Sequence, residues 1–587
     1  MDNNRFIGFT LIMLLIITYY TLFPPGQVEN YNETVDKKEE IELIESEKDE
    51  KKIKSENIIN SDFSIDKYNP IEEIVSIENE NLIIEFTSKG GKILNVYLKK
   101  YLNPSKEKVN IYNGLNGDIN FIIDDDEKVD LDEIIFDYQK SNNNDKKTLV
   151  FTASSKSGKK ITLRYEIIND EYLVNSSIIL NENFSEASNL NFSWINKLNH
   201  QESNFKNEKN QSRINYFSFD DEFDYTSSTS VETEEISINK SLKWISSKQQ
   251  FFNSSIISEN GLLNSNLKSE YIESEDYVKM FRINSQIPIV NNTISFKYFF
   301  GPNKYSILEN VADGFDNNLY LGWIGVGGFN KYIIVPIFNF LEKITNNYGL
   351  IIFLMVILIR IVVTPLTYKS HLSMAKMKVL NPEIKLIREK HDGDMQKSQS
   401  EIMELYQKTG VSPLGGCLPI LFQLPILVSV FYFLPNAIEL RGKSFLWASD
   451  LSNYDSILNL PFNIPFYGDH ISLFTVLMTV STILINKANS QMQTIEGPMK
   501  TFQYVFPILF LFIFNNFSSG LTYYYFLSNV ASYGQIFIFK RFVDEEKIKK
   551  EIDFNRKRNL NTKKSSFQIK LEEAMKARQG ANNKKNK

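Results

Sequence analysis

The chain has 587 residues and a formal net charge of −6, and its mean hydropathy of −0.25 averages two unlike halves. Residues 1–330 carry 34 Lys and Arg against 52 Asp and Glu, whereas residues 331–587 carry 31 against 19. An acidic front half followed by a basic, very apolar rear half excludes a single soluble core and points to two solvents on two sides of a membrane. The single cysteine, Cys417, excludes an internal disulfide.

The first apolar run, Phe6 to Phe23, follows Met-Asp-Asn-Asn-Arg and precedes Pro24-Pro25-Gly26. It is near spanning length and no small-x-small cleavage site follows it, so residues 1–25 are expected to be an uncleaved transmembrane signal anchor that starts in the cytoplasm. Residues 26–75 are Glu, Lys, Asn and Ser with scattered Ile, too polar to bury a core, and are expected to be a disordered tether. Over residues 76–325 the pattern becomes short alternating runs: Leu82 to Phe86, Ile93 to Leu98, Thr148 to Thr152, Ile161 to Ile167 and Leu173 to Leu180. Gly90-Gly91 and Ser157-Gly158 fall at turn positions between them, which predicts an antiparallel β-sandwich. His200, the lone histidine of this region, reads as a surface or packed residue, and the scattered acids read as solvated surface. No catalytic residue, metal site, cofactor or small-molecule substrate is expected.

Residues 329–345, with Tyr332, Val335, Phe338 and Phe340 among polar residues, predict an amphipathic helix at the outer membrane interface. The alternative is a helix that caps the β-domain. Residues 346–540 contain five apolar stretches: Tyr348 to Tyr368, Leu414 to Leu434, Ile471 to Ile485, Phe502 to Asn515 and Leu521 to Phe539. With the anchor they predict an α-helical bundle of six spans, five forming the core; the third and fourth of the five are short and would thin the bilayer. The loop 369–412 and the tail 541–587 are rich in Lys and Arg and belong inside, whereas Pro435 to His470 holds only Arg441 and Lys443 and belongs outside. Both termini are then cytoplasmic and the β-domain lies outside. Met377, Leu380, Ile384 and Ile387 recur at helical spacing, Asp392-Gly393 supplies a turn, and Ile402, Leu405 and Tyr406 recur on a second helix. A cytoplasmic helical hairpin follows, either self-packed or a landing platform for an incoming chain.

Arg360 is the one fully charged group within the five apolar stretches, roughly 12 Å from the inner end of its span at 1.5 Å per residue. Snorkelling would cut its cost, but a buried charge in a span is usually functional, and a hydrated cavity open to the cytoplasm is favoured. Gln423 and the last-span residues Thr522, Tyr525, Ser528, Asn529, Ser532 and Gln535 add polar positions that either glue helices together or line that groove. A wet half-groove beside a thinned bilayer would insert polypeptide without ATP. A transporter would be expected to carry acids or histidine in its spans; a receptor working through the β-domain is the remaining alternative.

Ser373-Met-Ala-Lys-Met-Lys, Leu380-Asn-Pro-Glu-Ile, Ser412-Pro-Leu-Gly-Gly-Cys-Leu-Pro, Gln423-Leu-Pro-Ile and Ser519-Gly-Leu-Thr-Tyr-Tyr-Tyr-Phe-Leu-Ser-Asn529 occur in order across the rear half. Together they resemble the YidC, oxidase-assembly and Albino family of membrane insertases. Phe86 to Tyr97 and Trp244 to Phe252 resemble the periplasmic domain of its Gram-negative members. The resemblance implies a bacterial inner-membrane location, nascent membrane proteins as clients in the lipid bilayer, and cooperation with the Sec translocon and the ribosome. It also implies that Arg360 is the groove arginine and that Tyr525 meets substrate, with Cys417 a packed motif residue. Val356, one turn before Arg360, departs from the polar residue that would suit a groove wall. The tail cations Lys557, Arg558, Lys563, Lys564, Lys584 and Lys585 either meet ribosomal RNA or only hold the tail inside.

Overall fold

The computed structural model describes residues 63, 71–143, 145–184, 187–274, 276–391, 394–412, 418–490 and 498–558. The expected anchor, the tether up to residue 70 apart from Phe63, the Asp392-Gly393 turn, Cys417 and the tail beyond residue 558 lie outside them, and the last two residues of the expected tether, Ile74 and Val75, instead open the first strand. Two compact units emerge, one of β-strands up to Tyr320 and one of helices from Leu321, with the short piece Asn436–Glu439 grouped with the first.

In the β unit, Ile74–Glu78, Leu82–Thr87, Lys92–Leu102 and Lys108–Asn113 pair in that order as a four-stranded sheet. A fourteen-stranded sheet runs, along its main path, Lys128–Asp130, Asp118–Asp124, Asn189–Asn199, Tyr277–Pro288, Phe252–Tyr271, Thr293–Pro302, Leu173–Leu180, Lys160–Ile168, Lys146–Ser154 and Asp137–Asn142. These pairings are antiparallel. Each run expected as a strand lies in one, and Gly90-Gly91 and Ser157-Gly158 sit in the intervening turns. Strict alternation explains the faces: on Asn189–Asn199 the side chains of Leu190, Phe192, Trp194, Asn196 and Leu198 are buried and their neighbours are not.

The twenty-residue strand Phe252–Tyr271 belongs to both halves of the large sheet. It turns the corner where Gly261 (φ 94°) and Asn264 (φ 47°) take left-handed backbone, beside a register shift against the next strand. The halves then face each other through Trp194 against Tyr298 (ring centroids 6.0 Å apart) and Phe121 against Phe296 (5.6 Å). The small sheet closes on the large one through Phe86 against Tyr165, at 4.7 Å. His200 packs edge-on against Phe205.

The helical unit begins with α1 (Ile324–Phe329), a π-turn (Asn330–Ile334) and α2 (Val335–Glu342). It continues with α3 (Tyr348–Lys390), α4 (Met395–Thr409), α5 (Leu418–Phe433), α6 (Leu473–Ser490), α7 (Pro498–Phe514), α8 (Ser519–Phe542) and α9 (Glu545–Lys557). The expected amphipathic segment starts earlier than its sequence pattern and has two apolar faces. Val335, Phe338 and Leu341 are buried, with Phe338 against Tyr348 and Phe433, while Tyr332, Phe340 and Ile344 are exposed.

Helix α3 merges the expected span and the first hairpin helix into 43 residues, about 65 Å at 1.5 Å per residue. Pro365 sits inside it, and Thr364 and Thr367 return their hydroxyls to the backbone carbonyls of Arg360 and Thr364 at 2.6 Å and 2.9 Å. Among the described residues α3 is the one helix both long and apolar enough to cross a membrane by length and composition; Gln423–Asn436, Leu473–Asn489 and Gln503–Phe514 are shorter apolar helices.

Candidate functional site

Arg360 is carried by α3 and is 7% exposed. Its Nη2 donates to the Ser528 carbonyl oxygen at 2.8 Å and to Ser528 Oγ at 2.6 Å, tying α3 to α8. The guanidinium also lines a cavity with Ile359, Val363, Gln423, Leu427, Tyr524 and Ser528. The cavity measures about 10 Å³, room for about one water. Where a hydrated cavity open to the cytoplasm is expected, the described residues form a small recess between α3, α5 and α8 in which Arg360, Gln423, Tyr524 and Ser528 stand among apolar side chains. Above it Val356 and Met355 are buried and apolar, so the recess ends one turn from Arg360.

Gln535 donates its amide Nε2 to Thr364 Oγ1 at 2.8 Å and extends the polar contacts between α3 and α8 toward the C-terminal end of α8. Tyr525 is buried, and its hydroxyl donates to the carbonyl of Leu427, a residue that lines the recess. The other positions turn elsewhere. Asn529 donates to Ser481 Oγ (3.0 Å) and Thr482 Oγ1 (2.8 Å) on α6. Thr522 returns its hydroxyl to Ser519 of its own helix, and Ser532 to Ser528. The expected single stripe divides because six positions at 100° per residue fan over about 140°, enough for one helix to face several neighbours. Tyr524 was not among the expected residues, although it sits one turn before Ser528; three consecutive tyrosines hid which ring faces Arg360.

The hairpin residues have a packing role. Met377, Leu380 and Ile384 are buried with Ile402 of α4 and Ile548 and Ile552 of α9, and Ile387 packs at the margin. Exposed apolar side chains would serve a landing platform; these four instead close the hairpin on itself and on α9. The helix α9 had no clear signal within a tail read as basic, yet its Ile548 and Ile552 are one turn apart. Lys376–Glu551, Lys378–Glu545 and Arg556–Glu383 pair along its edges.

A second buried polar cluster escaped the sequence reading. Asp455, 2% exposed, accepts from Leu473 N (2.8 Å), Phe474 N (3.1 Å), Ser472 Oγ (2.5 Å) and Trp447 Nε1 (2.8 Å), and so caps α6 from eighteen residues away. His470 stacks on Tyr454 at 3.7 Å and its Nε2 meets the Asn515 carbonyl at the end of α7. Asn515 in turn donates to the carbonyls of Tyr467 and His470.

A β-rich unit followed by a helical unit with a buried arginine between helices fits a class of inner-membrane proteins with a periplasmic domain. Family models bear this out: residues 74–339 match the YidC periplasmic domain, and residues 340–547 match the 60Kd inner membrane protein. The chain is 35% identical to the membrane protein insertase YidC of Amoebophilus asiaticus, over 98% of this chain and 99% of that one. It is 34% identical to that of Cytophaga hutchinsonii (99% and 98%) and 33% identical to that of Parabacteroides distasonis (99% and 98%). The chain belongs to the YidC membrane protein insertase family.

Proposed function

We propose that the chain inserts newly made membrane proteins into the bacterial inner membrane. In this reading both termini and the α3–α4 hairpin lie in the cytoplasm, the anchor and five core segments cross the bilayer, and the β unit stands in the periplasm. The observation that carries it is Arg360, a permanent cation buried among membrane helices, held by Ser528 and a recess with room for about one water. A guanidinium keeps its charge under all physiological conditions. Such a charge costs several kcal/mol in hydrocarbon, so it is retained where it does work.

Here that work is to attract the polar external segment of a client while its apolar segment enters lipid. The recess is nearly closed at rest, so α3 and α5 must part to admit the client. Separation needs no nucleotide, since the client's own burial in lipid supplies the driving force. The 18 residues of α6 and 17 of α7 reach about 27 Å and 26 Å, slightly less than the ~30 Å hydrocarbon core, which favours local thinning beside the recess. The exposed Ile508, Leu509 and Ile513 of α7 suit a lipid surround. Cooperation with the Sec translocon, and contact of Lys557, Arg558 and the later tail cations with a translating ribosome, fit the same orientation.

The test is insertion into proteoliposomes at equal protein level. Arg360→Ala should lower insertion of clients with charged external segments at least several-fold and spare a client whose external segment is short and neutral. Arg360→Lys should retain part of the activity. Equal insertion of all clients by Arg360→Ala removes Arg360 from the mechanism.

A further inference from the structure

We infer that the β-hairpin between α5 and α6 is a membrane anchor that beds in the outer leaflet. The hairpin pairs Leu458–Ile464 with Gly468–Ile471. Residues 456–468, Ser-Ile-Leu-Asn-Leu-Pro-Phe-Asn-Ile-Pro-Phe-Tyr-Gly, contain no charged side chain. Ile457, Leu458, Phe462 and Phe466 are 50%, 55%, 60% and 66% exposed. A two-stranded ribbon cannot hide both of its faces, and exposed apolar side chains in this number need a solvent other than water.

Lipid is the occupant that the surroundings favour. The hairpin ends at Ile471, two residues before α6 begins at Leu473. It is fixed there: Ser472 N donates to Asn515 Oδ1, and the Asn515 and Asn516 amides donate to the Tyr467 carbonyl. Tyr467 packs against Phe512 of α7 at 5.4 Å. Phe512 is itself exposed, next to exposed Leu509 and Ile513, so the hairpin's apolar surface continues the apolar surface of α7. The unpaired edges of the ribbon are tolerated in the headgroup region, where water still reaches backbone groups, and would not be in the hydrocarbon centre. Exposed phenylalanines such as Phe462 and Phe466 bury readily at the boundary of headgroups and acyl chains. Through Asn515 and Ser472 the hairpin holds the outer ends of α6 and α7 at a fixed depth, so a shift of the ribbon is transmitted to both of these short helices.

The outer-leaflet assignment rests on the topology proposed above, and the test separates the two. In a Cys417→Ser background, spin labels are placed singly on Phe462→Cys and Ser449→Cys in the full chain, reconstituted in lipid vesicles without partner proteins. Ser449 is exposed in the same outer segment and serves as the aqueous reference. The label at 462 should collide with oxygen several-fold more readily than with a water-soluble nickel chelate, and the label at 449 should show the reverse. Equal access of the chelate to both labels overturns the proposal, as does shielding at 462 that arises only when a client or translocon is added. Because a label could disturb the ribbon, Phe466→Trp in the same vesicles gives a second reading when compared with the parent chain and its four tryptophans: brominated lipid should quench the added emission, and added emission left unquenched overturns the proposal. An impermeant maleimide that reaches Ser449→Cys only from the cytoplasmic side overturns the topology and the outer-leaflet assignment, while the collision ratio at 462 still decides between lipid and water.

Discussion

Lys248, buried in the β unit, and Arg360, buried in the helical unit, meet the cost of burial in opposite ways. Lys248, 4% exposed, ends a strand of the β unit; its Nζ donates to the Gln211 carbonyl at 3.1 Å. Burial, aided by the neighbouring Arg213, pushes its amine down to about 7. Lysine can thus escape its charge by releasing a proton, whereas Arg360 cannot and must be solvated where it stands, by Ser528 and the recess. The difference teaches that a buried lysine can shed its charge, whereas a buried arginine has to be solvated as a cation.

The largest effect that would break this comparison lies at Lys248. Between about pH 7 and the ordinary lysine value of 10.5 the unfolded chain holds a proton that the folded chain has released. Stability therefore climbs with pH across that window, and the penalty is fully present below it. Lys248→Met removes the penalty and loses one hydrogen bond, for a net gain on the order of 3 kcal/mol at pH 7. Thermal unfolding of the β unit, followed in the full chain by near-ultraviolet circular dichroism, should show that gain shrinking steadily by pH 9.5. A gain independent of pH would mean that Lys248 keeps its proton in the folded chain, as it does in the unfolded one.

A buried anion sharpens the contrast inside the helical unit. Asp455 stays where it is because four donors, two of them the free N–H groups at the start of α6, converge on it. Asp455→Ala leaves those donors without their partner in a buried site, and should cost about 2 kcal/mol. Asp455→Asn keeps the shape and some of the hydrogen bonds and should cost less. Unfolding in detergent measures both; equal losses would show that the carboxylate itself, and neither side-chain size nor the bonds an amide can keep, sets the cost.

How much of this was legible in the sequence follows from the range of each interaction. Period-two alternation marked strands such as Leu82–Thr87 and Leu173–Leu180, because a face is set by residues adjacent in the chain. Arg360 stood out because a lone charge in an apolar run has no other explanation at close range. The fan of the α8 side chains did not, since the partner of each depends on where α3, α5 and α6 pass. The cap of α6 by Asp455 and the seating of α9 on the hairpin were hidden for the same reason: their partners lie far away in sequence, and a basic composition masked the two isoleucines that α9 buries.

The smallest expected effect concerns a charge pair in water. Arg556 of α9 contacts both carboxylate oxygens of Glu383 on α3, at 2.5 Å and 2.6 Å, and both side chains remain over a third exposed. Both contacts come from the one nitrogen Nη2, solvent screens the attraction, and both side chains give up rotamer freedom to hold it. Arg556→Ala should therefore cost about 0.5 kcal/mol, and less in high salt. Ile552→Ala, on the same helix, removes buried apolar volume from the cluster with Leu380 and Ile384 and should cost several times more, with no dependence on salt. Hydrogen exchange of α9 measures both. If the arginine variant loosened the helix as much as the isoleucine variant, the hairpin would be held to α9 by charge and not by its apolar seam.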